Sequence, residues 1–142
     1  MNRHTRNTLK ALLLLVLSFT AVACNDEDDI NEIFRERTWY LTYVKDGGVE
    51  RIPNKKLYSI EFMKDNFIAR MPNGTTVKGL WQADGRTRTF RCTNVSADGG
   101  FSGDTIAEKM YGIIRNAQKY DGDIHWLQII QDKNTHMQFY NR

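Results

Sequence analysis

The feature that most constrains this chain is an apolar run close to its amino terminus. Arg3, Arg6 and Lys10 precede a stretch of 12 uncharged residues, Ala11 to Val22. That length suits the hydrophobic region of a signal peptide, whereas a membrane-spanning helix needs ~20 apolar residues. We therefore predict that residues 1–23 are a signal peptide and that the mature chain works outside the cytoplasm.

A cysteine directly follows the predicted cleavage site. Ala21 and Ala23 are the small residues that signal peptidase prefers, and Cys24 comes next. The arrangement resembles a bacterial lipobox, in which a cysteine after small residues is lipidated and becomes the new first residue. Two or more acyl chains hold a protein stably on a membrane. The resemblance implies that Cys24 is lipidated and that the chain is bound to a membrane through this anchor.

Polar and acidic residues follow the cysteine: Asn25, Asp26, Glu27, Asp28 and Asp29. Their like charges favour an extended, solvated tether, so we expect residues 24–29 to separate the lipid from the folded domain. The run also resembles the export signal of Bacteroidota lipoproteins. That resemblance implies an outer-membrane lipoprotein exposed at the cell surface, with the periplasmic face as the alternative.

The charge balance gives no argument for a nucleic-acid partner. The sequence has 20 Lys and Arg residues against 17 Asp and Glu, but three of the basic residues lie in the predicted signal peptide. The mature chain is therefore balanced, and it has no general electrostatic attraction for phosphate backbones. We expect no nucleic acid among its partners.

Residues 30–142 are predicted to form a single globular domain. Ile30, Ile33 and Phe34 have helical spacing and predict a short helix at its start. Segments rich in aromatic and β-branched residues then alternate with turn sequences such as Pro72-Asn73-Gly74. The predicted strands are 39–44, 57–63, 67–71, 76–81 and 87–95.

The period of the apolar residues becomes helical late in the chain. Ile106 to Ala117 predicts the one long helix, Thr105 and Glu108 fit a capping box at its start, and Asp121-Gly122-Asp123 marks its end.

The chain is predicted to end in a hairpin of strands 124–130 and 135–140, in which Trp126 lies opposite Phe139 in the core. The order of elements predicts an α+β, mainly β domain. We expect a curved antiparallel sheet or partial barrel of about seven strands, with the late helix packed on it and a C-terminal hairpin.

Parts of this pattern resemble the META/HslJ-type domain of exported bacterial lipoproteins. The resemblance rests on the opening Trp39-Tyr40-Leu41 strand, the helix Glu108 to Ala117, and Tyr120 to Leu127 leading to Met137-Gln138-Phe139. It implies no established catalytic site. The alternative is a lipocalin-like lipoprotein, because a short helix, Trp39 on the first strand and a late helix also suit that pattern.

No group of side chains predicts catalysis. His125 and His136 are expected on one face of the last hairpin but about 13 Å apart, too far to share a metal ion with bonds of ~2 Å. Cys92 has no partner if Cys24 carries lipid, and its strand predicts a small buried core residue rather than a nucleophile. We expect no catalytic residue, metal or cofactor.

Two surface features have functional interpretations. Basic residues lie close in sequence to Trp81 and Phe90: Lys78, Arg86, Arg88 and Arg91. They predict a solvated sheet face or, alternatively, a site for an anionic surface polymer or lipid headgroup. Separately, Asp104-Thr105-Ile106 resembles the O-glycosylation site of Bacteroidota, which implies Thr105 as an acceptor.

Three functions follow from these observations. The leading prediction is a non-catalytic, membrane-anchored binding or envelope-structural module, with an envelope protein or glycan as partner. The second is a carrier of a small apolar ligand, with Trp39, Trp81 and Trp126 lining a concavity. The third is an enzyme that uses Cys92 and the histidines. A filled core favours the first function, whereas an open apolar pocket favours the second.

Overall fold

The sheet closes into a ring because its first strand pairs with its last. The computed structural model describes residues 26–142. The strands are β1 Thr38–Asp46, β2 Val49–Arg51, β3 Ser59–Phe62, β4 Asn66–Arg70, β5 Thr76–Asp84, β6 Thr89–Asp98, β7 Lys119–Gly122, β8 Trp126–Asp132 and β9 Thr135–Asn141. The helices are α1 Asp26–Phe34 and α2 Thr105–Asn116.

All strand pairs of the sheet are antiparallel. Within the described residues the sheet has 9 strands in the order β2-β1-β3-β4-β5-β6-β7-β8-β9, and β1 also pairs with β9. The predicted fold class is confirmed: the domain is α+β and mainly β, with a late helix and a C-terminal hairpin. The predicted number of about seven strands was too low, because the short β2 and β7 were missed.

Helix α1 covers one end of the ring. The prediction placed an extended tether before Ile30, but the helix begins at Asp26, so Asp26–Asp29 belong to its first turn. At the other end of α1, Phe34 is fully buried, and the indole N–H of Trp39 donates to the Ile33 carbonyl at 3.0 Å. The predicted signal peptide, Cys24 and Asn25 lie outside the described residues.

Helix α2 fills the space where β6 and β7 diverge. These two strands pair only at Thr89 and Lys119, and α2 packs beside the rest of β6. The predicted capping box is wrong, since Asp104 rather than Thr105 is the N-cap and accepts the backbone N–H of Ala107. Thr105 is the first residue of the helix and is exposed.

The predicted helix stop at Asp121-Gly122-Asp123 is also wrong. Helix α2 ends at Asn116, and Lys119–Gly122 forms β7. The side chain of Asp123 instead shapes the β7–β8 turn, where it accepts the backbone N–H groups of His125 and Trp126 at 2.7 and 3.2 Å.

The terminal hairpin is confirmed, but its register is one residue away from the prediction. Asp132 pairs with Thr135 across a two-residue turn, and a bulge follows between Ile130 and Asp132. Leu127, rather than Trp126, therefore lies opposite Phe139 in the core. Trp126 lies opposite Tyr140, outside the core, because a shift of one residue exchanges the two faces of a strand.

Large side chains fill the inside of the ring. Those that are fully buried include Trp39, Tyr58, Phe62, Phe67, Phe90, Tyr120 and Phe139. Trp39 belongs to this packed core rather than to the wall of a cup. The carrier prediction placed Trp39 in the wall of a concavity, and that part of it is wrong. Among residues 26–142, the structure has no helix of the length and apolar character required to span a membrane.

Candidate binding groove

A groove of about 730 Å³ lies outside the core, between α1 and the ends of β5 and β6. We call this depression the groove. It falls within the range of ~300–1,000 Å³ that is usual for sites of small ligands. Its lining residues are Ile30, Asn31, Arg35, Lys64, Trp81, Gln82, Ala83, Asp84, Thr89, Phe90, Arg91, Ala117 and Gln118.

Two aromatic side chains give the groove a fixed apolar base. Trp81 and Phe90 are 6% and 1% exposed, and Phe34 from α1 packs against both rings at 5.1 and 5.5 Å. The indole N–H of Trp81 also donates to the Met63 carbonyl at 2.9 Å. Because each ring is held by several partners, this base is preorganised.

Three cationic side chains surround the groove. Arg35 follows α1, Lys64 lies in the β3–β4 turn, and Arg91 lies on β6. Among the side chains of residues 29–142, the ion pairs involve other cations, namely Arg70 with Glu61, Arg88 with Asp121 and Lys109 with Asp46. The cations of the groove therefore have capacity for an external anion.

One carboxylate also lines the groove, and it has a structural role. Asp84 Oδ1 accepts the backbone N–H groups of Arg86 and Thr87 at 2.9 and 3.3 Å in the β5–β6 turn. Arg91 donates to the amide oxygen of Gln82 at 3.3 Å. Among the lining side chains within residues 29–142, three cations stand against one carboxylate, which favours negative charge in the groove.

The structure brings together only part of the basic cluster that the sequence predicted. Arg91 lines the groove, but Arg88 lies 3.5 Å from Asp121 and stacks over Tyr120. Lys78 lines a different depression, next to Gly79. Arg35 and Lys64 were missed, because only the packing of α1 against the β3–β6 strands brings them to the same groove as Arg91, and this packing has no local sequence signal.

The structure places Cys92 and the histidines apart. Cys92 is 6% exposed, as predicted, and burial raises the pKa of its thiol to about 12, so it carries no thiolate at neutral pH. His136 lies opposite Ile130, while the His125 carbonyl accepts the N–H of Asn141. Five positions on β9 separate these two pairing sites, or about 16 Å. Within residues 26–142, no His, Cys, Asp and Glu side chains cluster as metal ligands.

Comparisons with known proteins identify a family but no activity. Residues 47–141 match the family described as "Domain of unknown function (DUF4847)". A comparison with curated proteins gives no match.

One solved structure shows the same fold. The crystal structure of a DUF4847 family protein from Bacteroides vulgatus ATCC 8482 aligns with a TM-score of 0.59 and 22% identity, covering 78% of this chain and 96% of that chain. The META/HslJ and lipocalin resemblances receive no support from these findings.

Proposed function

The chain belongs to the DUF4847 family, whose function is unknown, and we propose that it is a membrane-tethered, non-catalytic module that binds an anionic, partly apolar ligand in the groove. The observation that carries this proposal is the position of Arg35, Lys64 and Arg91 around a base formed by Trp81 and Phe90. The cations attract an acidic group, and the partly buried Ile30 and Ala83 beside Trp81 supply apolar contact.

The tether is supported by the sequence features at the amino terminus. A basic segment, an apolar run and Cys24 occur in the order typical of lipoproteins. The similar solved structure comes from Bacteroides, which agrees with the Bacteroidota character of the acidic export signal. On this proposal the protein is held on the outer membrane, facing the cell surface.

The anchor and the groove would be close together. Asn25 is the one residue between Cys24 and the start of α1, and a residue spans at most ~3.6 Å. A lipid on Cys24 would therefore hold α1, and the groove beside it, near the headgroups. A ligand with one anionic and one apolar part suits that location, whether it comes from a lipid or from a surface polymer.

An anionic fluorescent probe tests the groove. Anilinonaphthalene sulfonate combines a sulfonate with aromatic rings, and we expect it to bind the mature Cys24→Ser protein. The triple variant Arg35→Gln, Lys64→Gln, Arg91→Gln should bind the probe about tenfold more weakly, since each exposed ion pair contributes up to ~1 kcal/mol. The matched control is the triple variant Lys56→Gln, Lys78→Gln, Lys133→Gln, which removes three exposed cations outside the groove.

Two results would overturn the ligand assignment. The first is equal probe affinity in the triple variant and the control. The second is a competition experiment in which inorganic phosphate displaces the probe at the same concentration as a long-chain alkyl sulfate does, since the apolar chain would then add nothing to binding. Near-ultraviolet circular dichroism shows whether each variant keeps its packing. The tether is tested separately by metabolic labelling with a clickable fatty acid, which should mark the native protein and not Cys24→Ser.

A further inference from the structure

The outer face of β1, β9 and β8 carries two cross-strand rows of related side chains. Tyr40 pairs with Tyr140, and Tyr140 pairs with Trp126, which forms an aromatic row across three strands. In the next row, which we call the amide row, Tyr43 pairs with Gln138, and Gln138 pairs with Gln128. Together the two rows form a continuous surface outside the core.

A β-bulge brings Tyr43 into the amide row. Side chains alternate between the two faces of a strand, so a regular β1 would point Tyr43 inward, like Leu41. The register shifts between Leu41 and Tyr43, and Thr42 becomes the additional residue. Tyr40 and Tyr43 therefore share the outer face. Bulges often redirect a side chain next to a functional site.

Hydrogen bonds fix the side chains of the amide row. The Tyr43 hydroxyl donates to Gln138 Oε1 at 3.2 Å and lies 3.2 Å from His136 Nε2. Gln128 Nε2 donates to Gln138 Oε1 at 3.0 Å and to the Tyr43 hydroxyl at 3.4 Å. The network orients both amides, so the remaining amide atoms are presented to an external partner in fixed positions.

The aromatic row has an exposed centre. Tyr140 is 37% exposed, and its ring centroid lies 5.7 Å from that of Tyr40. The Arg142 guanidinium stacks over the ring of Tyr40, 4.7 Å from its centroid. Half-buried aromatic rings of this kind supply flat apolar area at low entropic cost.

The two rows contain no ionisable carboxylate, lysine or arginine. Cations lie at the borders of the rows: Arg142 stacks over Tyr40, which also shares a depression with Arg35 and Arg37, and Lys45 lies opposite His136. Burial and then the charge of Lys45 lower the pKa of His136, so its ring is neutral at pH 7. The part of the surface formed by Tyr140, Trp126 and the amide row thus carries no formal charge, unlike the groove, and suits an uncharged partner.

We propose that these rows bind a neutral oligosaccharide. The C–H faces of sugar rings would pack on Tyr140 and Trp126, and sugar hydroxyls would exchange hydrogen bonds with the amides of Gln128 and Gln138. Two rows across three strands measure about 10 Å by 7 Å, with further contact area at their edges, which suits a short saccharide segment. This site is independent of the groove and of its ligand.

Affinity gel electrophoresis tests the site with polysaccharides as probes. The mature Cys24→Ser protein is run in native gels that contain soluble starch, arabinoxylan, galactomannan or laminarin. We expect at least one of these neutral polymers to retard it. Tyr140→Ala and Trp126→Ala should each weaken the binding about threefold to tenfold, since one aromatic contact contributes ~0.5–1.5 kcal/mol. Gln138→Leu should weaken it without loss of an aromatic ring.

Leu57→Ala is the matched control, because Leu57 is a large apolar residue, 53% exposed, that lies outside the two rows. The proposal is wrong if none of the four gels retards the protein, or if Tyr140→Ala migrates like the parent protein in the gel that does. Sedimentation with phosphatidylcholine vesicles provides a second readout. Binding to the vesicles that depends on Tyr140, without retardation by any polysaccharide, would assign the face to a lipid surface instead.

Discussion

The hydroxyl of Tyr58 donates a 2.6 Å hydrogen bond to Asp104 Oδ2, while Oδ1 of the same carboxylate accepts the N–H of Ala107 at 3.1 Å. Tyr58 directly precedes β3 and is 2% exposed. One carboxylate therefore joins the sheet to the first turn of α2. Burial, and then the bond to Asp104, raise the pKa of the Tyr58 phenol, so this donor keeps its proton.

Removal of the Asp104 carboxylate should destabilise the fold more than any change at Thr105. Asp104→Ala loses a helix cap and leaves the Tyr58 hydroxyl without its acceptor, which together cost about 2–3 kcal/mol. Tyr58→Phe should cost about 1 kcal/mol, and the matched control Thr105→Ala less than about 0.5 kcal/mol. Urea unfolding measures all three. A larger loss in Thr105→Ala than in Asp104→Ala would contradict the assignment of the cap.

Stability should fall as the pH rises above about 9, and Cys92 should account for part of the fall. Its pKa is raised from 9.0 to about 12 in the folded state, so above pH 9 the unfolded chain releases a proton that the folded chain keeps. The free energy of unfolding then falls by up to about 1.4 kcal/mol per pH unit.

The pH effect is measured by urea unfolding at pH 7, 9 and 10 in the Cys24→Ser background. Cys92→Ala should lose less stability between pH 9 and 10 than its parent, although it starts from a lower value. Tyr58, whose pKa is also raised, contributes in the same direction at higher pH. Equal slopes for the variant and the parent would show that the thiol titrates alike in both states.

Gly122 and Gly112 should respond to alanine in opposite directions. Gly122 has φ of +149°, and a Cβ there would collide with the backbone oxygen of Trp126. Gly122→Ala should therefore lower the free energy of unfolding by about 2–3 kcal/mol. Gly112 lies within α2 with open space around it, so Gly112→Ala should raise stability by about 0.5–1 kcal/mol. Thermal unfolding of both variants tests this contrast, and a neutral Gly122→Ala would contradict it.

Phe34 should be the residue that holds α1 against the ring. Its ring centroid lies 5.0–5.5 Å from those of Phe62, Trp81, Phe90 and Tyr120. Phe34→Ala should cost about 3–5 kcal/mol, as large-to-small changes in a core do. Ile52→Ala, at a side chain that is 68% exposed, is the control and should change stability by less than about 0.5 kcal/mol. Intact stability in Phe34→Ala would show that α1 is not docked.

Local sequence patterns predicted most of the elements because those patterns reflect local physics. The helical spacing of Ile106, Met110 and Ile113 predicted α2. The turn residues between aromatic segments predicted where the long strands begin and end. The short β7 was missed, since its four residues overlap the turn-like Asp121-Gly122-Asp123 sequence and show no clear alternation. The start of α1 was missed because a run of carboxylates also suits a solvated tether.

The surface sites could not be predicted in the same way. Trp126 was placed in the core because the bulge between Ile130 and Asp132 leaves no local signal, and one residue of register decides which face a side chain occupies. No local sequence pattern predicts the bulge that turns Tyr43 outward either. The groove unites Arg35, Lys64 and Arg91 from three separate elements, which only the tertiary fold brings together.

The pairing of β1 with β9 has a consequence for how the molecule is made. Trp39 pairs in register with Asn141, so a polypeptide that emerges amino terminus first cannot close the ring until β9 is available. Until then, two long edges stay open to wrong partners. Contacts between such distant positions also make folding slow, on the scale of milliseconds to seconds. If the chain is exported across a membrane, it would thus stay unfolded during translocation and fold only after β9 has crossed.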